Sequence, residues 1–176
     1  MNPPKLYILC GEAFSGKSTL SKKIAEHFGA KIVGRDEIYF AMERILALEN
    51  TPDEDDDLLW KNMWPLVLQG VKNQLLLGNS VVIDDNCLYV KERDELRTVA
   101  KEVGVESILV FLDIPMEILK ERKEQNKISK TRHDVPSAWF AEDSLFFERP
   151  TKVENPIIYK SDTSFDDFVN NLKTTI

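Results

Sequence analysis

Two cysteines and two histidines are all that 176 residues contain. Cys10 and Cys87 are too few for a disulfide framework, and both lie near the ends of apolar runs, so they read as buried thiols. His27 and His133 stand alone; no Cys/His cluster has zinc spacing, and each reads as a surface or capping residue. No apolar run approaches the roughly 18–20 residues that span a bilayer, so no membrane partner is expected. The opening MNPPKLYILCG has too short an apolar part for a signal peptide, which points to a cytoplasmic protein. Positive charge is also in deficit, 23 Lys and Arg against 30 Asp and Glu, for a net charge of −7. That balance argues against a nucleic-acid partner, which a basic face would attract. No internal repeat, low-complexity tract or linker interrupts the chain, and its length suits one domain spanning residues 1–176.

What is present is an alternation of apolar runs and helical patterns. KLYILC reads as a buried strand, and Leu20, Ile24 and Phe28 mark one face of a helix that Gly29 stops. AKIVG is a short second strand, followed by a helix in DEIYFAMERILALE. Thr51 and Pro52 look like the start of a helix reaching about Leu77, with Pro65 inside the pattern as a possible kink or break. SVVIDD, ESILVFLDI and NPIIYKS are the remaining strands. Helices follow in YVKERDELRTVAKEVG, from Pro115 to about Glu124, in VPSAWFAEDSLFFE and in SFDDFVNNLKTT. Strands alternating with helices imply an α/β fold, a mostly parallel sheet covered on both faces.

The first strand runs into Gly11-Glu12-Ala13-Phe14-Ser15-Gly16-Lys17-Ser18, which fits G-x-x-x-x-G-K-[ST]. On the order of one random chain in a hundred or fewer carries this pattern, and a strand before it with a helix after it lowers that figure. Gly11 and Gly16 permit backbone shapes that a Cβ obstructs. The loop amides and the start of the following helix, through Thr19, form a concavity for phosphate. Lys17 is expected to reach the β- and γ-phosphates of ATP and Ser18 to ligate Mg²⁺. A GTPase is disfavoured because NKIS lacks the aspartate of N-K-x-D.

Three further features bear on the class of NTPase. Asp36 lies where the second strand gives way to a helix; an aspartate there can accept a proton from an acceptor hydroxyl, or simply cap the helix. VVIDDN has the form of a Walker B strand, with Asp84 expected to face the loop and assist or bind metal. Asp85 is expected to point away into a surface or capping role, and a slip of one residue exchanges the two. Leu119–Asp134 is locally basic, and Arg122 and Arg132 suit forked contacts to phosphate from a lid around 120–135.

Taken together, the P-loop, GRDEIYF, VVIDDN…ERDELRTVAKEVG, VFLDIP…LKERK and VPSAWFAEDSLFFERP resemble the polynucleotide-kinase-like branch of P-loop kinases. Chloramphenicol phosphotransferases and zeta toxins are related to that branch. The resemblance runs from Tyr7 to about Ser161. It implies a three-layer αβα sandwich with a five-stranded parallel sheet in the order 2-3-1-4-5, ATP·Mg as donor and a hydroxyl as acceptor. It also implies Lys17 on the phosphates, Ser18 on magnesium, Asp36 as base and Arg122 on the lid. The lid departs from R-N-x-x-R, since Lys123 follows Arg122 and Asn126 stands where the second arginine would fall. Tyr39 stands where polynucleotide kinases often carry an arginine.

The expected activity is therefore phosphoryl transfer from ATP to a small-molecule hydroxyl. A polynucleotide or nucleotide kinase and a non-catalytic nucleotide-binding module are the alternatives. Tyr39, Phe40, Arg44, Trp60 and Trp64 are candidates for an acceptor pocket, although aromatic residues at such spacing also build cores. The acidic run Asp53–Asp57 reads first as the dipole-stabilised start of a helix, and second as a rim attracting a cationic acceptor.

Overall fold

The computed structural model describes residues 3–46, 62–130 and 135–175. Five strands, β1 (Lys5–Cys10), β2 (Lys31–Val33), β3 (Val81–Ile83), β4 (Glu106–Leu112) and β5 (Ile157–Tyr159), form one parallel sheet in the order β2-β3-β1-β4-β5. In β1, Leu6 pairs with Val81 of β3 on one side and with Ser107 of β4 on the other.

Strand alternation divides the core into two layers. Tyr7 and Leu9 of β1, with Val82 and Val110, face one side. There they meet α1 (Lys17–Phe28) through Leu20 and Ile24, and α7 (Phe165–Thr175) through Phe168, Val169 and Leu172. Leu119 of α5 (Met116–Ser129) and Phe140 of α6 (Ser137–Phe146) complete that side. Leu6, Ile8 and Cys10, with Val81, Ile83 and Phe111, face the other. That side is closed by Val67, Val71 and Leu75 of α3 (Trp64–Leu76) and by Leu96 and Ala100 of α4 (Val90–Glu102). Because both faces of β1 are buried, its sequence is continuously apolar rather than alternating.

α2 (Arg35–Leu46) follows β2 after one glycine. A Cβ on Gly34 would lie 2.7 Å from the Asp84 carbonyl oxygen, so only glycine lets the ends of β2 and β3 approach this closely. The Asp84 N–H donates to Val33 O at 3.0 Å across the same junction.

Of the two effects expected of Pro65, a kink or a break, the chain shows the break: Asn62 is helical, Met63 is a turn, and α3 starts afresh at Trp64 with Pro65 in its first turn, where its missing N–H costs nothing. One expectation is corrected. α5 runs five residues beyond Glu124, to Ser129. Its buried face carries Leu119, Lys123 and Asn126, so no apolar stripe announces its second half. The expected helix start at Thr51–Pro52, the Asp53–Asp57 run and His133 lie outside the described residues.

Candidate active site

All five strands are parallel, so their carboxyl ends open on one edge, and the loop after β1 sits at its centre. A Cβ at Gly11 would press within 3.1 Å of Leu112 O and of Ser15 Oγ. Gly16, the residue before α1, has φ of 104°, a left-handed conformation that glycine adopts freely. Phe14 is also left-handed, with φ of 64°, a strained conformation for a bulky residue. Its ring packs edge-on against Phe140 of α6, with centroids 5.9 Å apart.

Two cations hold the loop's carbonyls. Lys17 is buried, and its Nζ donates to Gly11 O at 2.9 Å and Glu12 O at 2.8 Å. Burial lowers the pKa of this ammonium, against the opposing pull of Asp84 and Asp85. From α5, Arg122 Nη1 donates to Phe14 O at 3.0 Å and Ser15 O at 3.1 Å. A glycine-cornered loop, a helix N-terminus and two converging cations make this edge suited to a polyanion. Thr19 and Gly16 line an adjoining cavity of about 430 Å³ with Arg122, Asn126 and Tyr159. Ala13 is buried beneath the loop.

Adjacent acids after β3 have opposite surroundings. Asp84 Oδ1 accepts from Ser18 Oγ at 3.2 Å, and Oδ2 from Ser21 Oγ at 3.0 Å. It therefore faces the loop. Asp85 points the other way, as strand alternation requires, but it is not a surface residue. Arg35 Nε lies 3.1 Å from Asp85 Oδ2, and Arg35 Nη2 donates to Glu92 at 2.9 Å. The Arg35 guanidinium also lies over the Trp64 ring, 4.9 Å from its centroid, and Trp64 Nε1 donates to Glu95 at 2.6 Å. Trp64 is thus a wall of this ion network. Trp60 and the side chains of Phe40 and Arg44 lie outside the described residues, as does Arg132.

Asp36 is exposed in the first turn of α2, one residue after Arg35. Its neighbour Glu37 has a raised pKa, from burial and from the negative charges of Asp84 and Asp36. The start of α2 and the end of β3 therefore share one electrostatic environment.

Several contributors went unread in the sequence. Ser21 lies three residues after Ser18 on one helix face, and that spacing was a usable signal. Arg93 had none. It is fully buried and binds Glu154 through Nε at 2.8 Å and Nη2 at 2.9 Å, as well as the carbonyls of Cys87, Leu88 and Glu148. This single side chain ties α4 to the loop after β3 and to the segment following α6. Cys10 and Cys87 are buried free thiols, as expected, and burial pushes Cys10 up to about 12. Among the described residues, no cluster of three or more His, Cys, Asp or Glu could hold a metal. No helix there is long and apolar enough to cross a membrane.

A 2-3-1-4-5 parallel sheet, with this loop after its first strand and Asp84 bonded to the loop's serine, defines the P-loop kinase class of fold. Residues 6–150 match the AAA domain family, and the chain belongs to it. It is 28% identical over 152 residues to the L-seryl-tRNA(Sec) kinase of Methanococcus maripaludis, a match covering 78% of this chain. The chain spans 56% of the length of that relative. In fold it is similar to a Chloroflexus aurantiacus protein assigned provisionally as a kinase, with TM-score 0.76, 16% identity, and 99% of this chain and 100% of that one covered. It is also similar to the Mycobacterium tuberculosis APS kinase CysC in complex with AMPPNP and APS. That likeness has TM-score 0.64 and 16% identity, with 99% and 98% covered.

Proposed function

We propose that the protein is a kinase that moves the γ-phosphoryl group of ATP·Mg to a hydroxyl of a small molecule. The observation carrying this reading is Asp84, held by Ser18 and Ser21 directly beside the phosphate loop while the neighbouring Arg35 network anchors the start of α2. Lys17 and the amides of the loop from Gly11 to Ser18 cradle the β- and γ-phosphates. The nucleoside extends into the cavity beside Thr19, Arg122 and Asn126. Ser18 Oγ and Asp84 are hard oxygen donors 3.2 Å apart, a pair that fits magnesium. When bound, magnesium neutralises charge on the phosphate oxygens.

Asp36 takes the proton from the acceptor hydroxyl as the oxygen attacks the γ-phosphorus in line and ADP leaves. Arg122, already on the loop, stabilises charge on the transferring group, and Arg132 joins it from a lid around residues 120–135. The APS kinase complex with a nucleotide analogue and a small acceptor supports a two-substrate cleft of this kind. A cytoplasmic setting, with ATP at hand, agrees with this reading.

Asp36→Asn should keep ATP binding by calorimetry and slow transfer by roughly a hundredfold to ten-thousandfold. Near-normal turnover in that variant would remove Asp36 from the role. A second reading, an acceptor hydroxyl carried on an RNA, is favoured by the relative that acts as an L-seryl-tRNA(Sec) kinase. The net charge of −7 opposes it. An acceptor screen with labelled ATP, pairing small alcohols with RNA and oligonucleotide ends, separates the two.

A further inference from the structure

Phe14 holds a backbone shape that its side chain opposes. It is the third residue of the turn from Glu12 to Ser15, which the Ser15 N–H closes by donating to Glu12 O at 3.2 Å, and its φ is 64°. Glycine or asparagine ordinarily fills that place in a turn when φ is positive, and a bulky residue stays there only where its surroundings enforce it. The shape has a use. Left-handed residues alternating with ordinary ones turn successive main-chain N–H groups into one anion-binding concavity, and Phe14 and Gly16 are two such residues in the phosphate loop.

The enforcement comes from α5 and α6. Arg122 of α5 donates to the Phe14 and Ser15 carbonyls. The Phe14 ring packs edge-on against Phe140, the residue that α6 buries. Lys123, next to Arg122, sets its ammonium 4.7 Å from the centre of the Phe140 ring and donates to Ser137 Oγ at 3.2 Å, which fastens α6 to α5. The same pair of helices therefore holds Phe14 by its main chain and by its side chain.

We infer that Phe14 is a positioning residue through which α5 and α6 set the loop in its phosphate-receiving shape. This rests on the phosphate-loop part of the kinase reading above. With glycine at position 14 the shape would form unaided; with phenylalanine it is lent by the two helices. Anion affinity then depends on where α6 sits, and Phe140 acts on a bound phosphate without touching it. A ring pair that only filled space would change stability and leave anion affinity alone.

The test titrates inorganic tripolyphosphate, with magnesium, into the full chain by calorimetry. The wild type should bind it. Phe14→Ala loses the ring but keeps the opposed backbone shape, and should bind about fivefold or more weakly. Phe14→Gly loses the ring and the opposition together, and should bind about fivefold or more tightly than Phe14→Ala. Phe140→Ala should weaken binding about fivefold in the wild-type chain and less than about twofold in the Phe14→Gly chain, a non-additivity that a purely structural contact would not put into an anion affinity. No binding by the wild type, Phe14→Gly binding no more tightly than Phe14→Ala, or an equal loss from Phe140→Ala in both chains would overturn the positioning role. The two Phe14 variants decide the matter even if Phe140→Ala does not fold. Calorimetry with ATP·Mg on the same samples reads the kinase assignment separately. The expected tripolyphosphate ranking without ATP binding supports the positioning role while sinking the kinase reading, and ATP binding without that ranking overturns the positioning role alone.

Discussion

The two flanks of the phosphate loop are built differently. On the β3 side the acids after the strand are paired: Asp84 with two serines, Asp85 and Glu92 with Arg35, and Arg35 further with the Trp64 ring. On the β4–β5 side lie two open cavities, one of them lined by Arg122, and helix α6, which buries little beyond Phe140 and exposes Trp139 and Leu145. The first flank is preorganised, as a group that must meet developing charge without rearrangement needs to be. The second is underfilled, as a surface that must admit ligands needs to be.

Four measurements press on this contrast. The largest effect is expected at its centre: Lys17→Met should slow transfer by roughly a thousandfold or more, because one cation serves both the loop's shape and the phosphate charge. Turnover within tenfold of wild type would detach Lys17 from the chemistry. Next, Arg93→Met leaves Glu154 without its main partner and should cost about 3–5 kcal/mol in chemical denaturation. A loss below 1 kcal/mol would mean that the fastening behind the open flank is dispensable. Arg122→Ala should slow transfer by about a hundredfold and leave the denaturation midpoint little changed, since the residue is half-buried on the adaptable side. A large fall in stability instead would make Arg122 part of the rigid half.

The smallest effect is one of pH. Burial alone would raise the Glu154 pKa, but hydrogen bonds from Arg93 and Arg97 outweigh it and hold the carboxyl down at about 2. A depressed folded-state pKa contributes stability that is complete above the ordinary carboxylate range, about 4.5, and is lost as pH falls towards about 2. Denaturation midpoints should decline through that window in the wild type and more gently in Arg93→Met. Parallel declines would place the acid sensitivity elsewhere.

The contrast also explains which parts could be read from the sequence. The β1–loop–α1 unit is contiguous, and its glycines, lysine and serine carry their reason with them, so it was legible residue by residue. The sheet order came with a family resemblance, because nothing local in KIV or VVI says which strand lies beside which. Asp84 and Asp85 differed by one step of register, and the choice was made by the close approach of Gly34 to the Asp84 carbonyl, a contact 50 residues apart in the chain. Arg93 and Glu154 are separated by 61 residues, and neither lies in a recognisable pattern. The far half of α5 was missed because its inward face is a lysine over the Phe140 ring and an asparagine, which hydrophobic periodicity does not register.

The abutment of Gly34 on Asp84 divides the labour of any catalytic cycle. With the two strand ends wedged backbone to backbone, the acids after β3 and the start of α2 make a fixed anvil, unable to travel independently. In the proposed kinase, any element closing over the triphosphate would then come from the opposite side, where Arg122 already grips the Phe14 and Ser15 carbonyls.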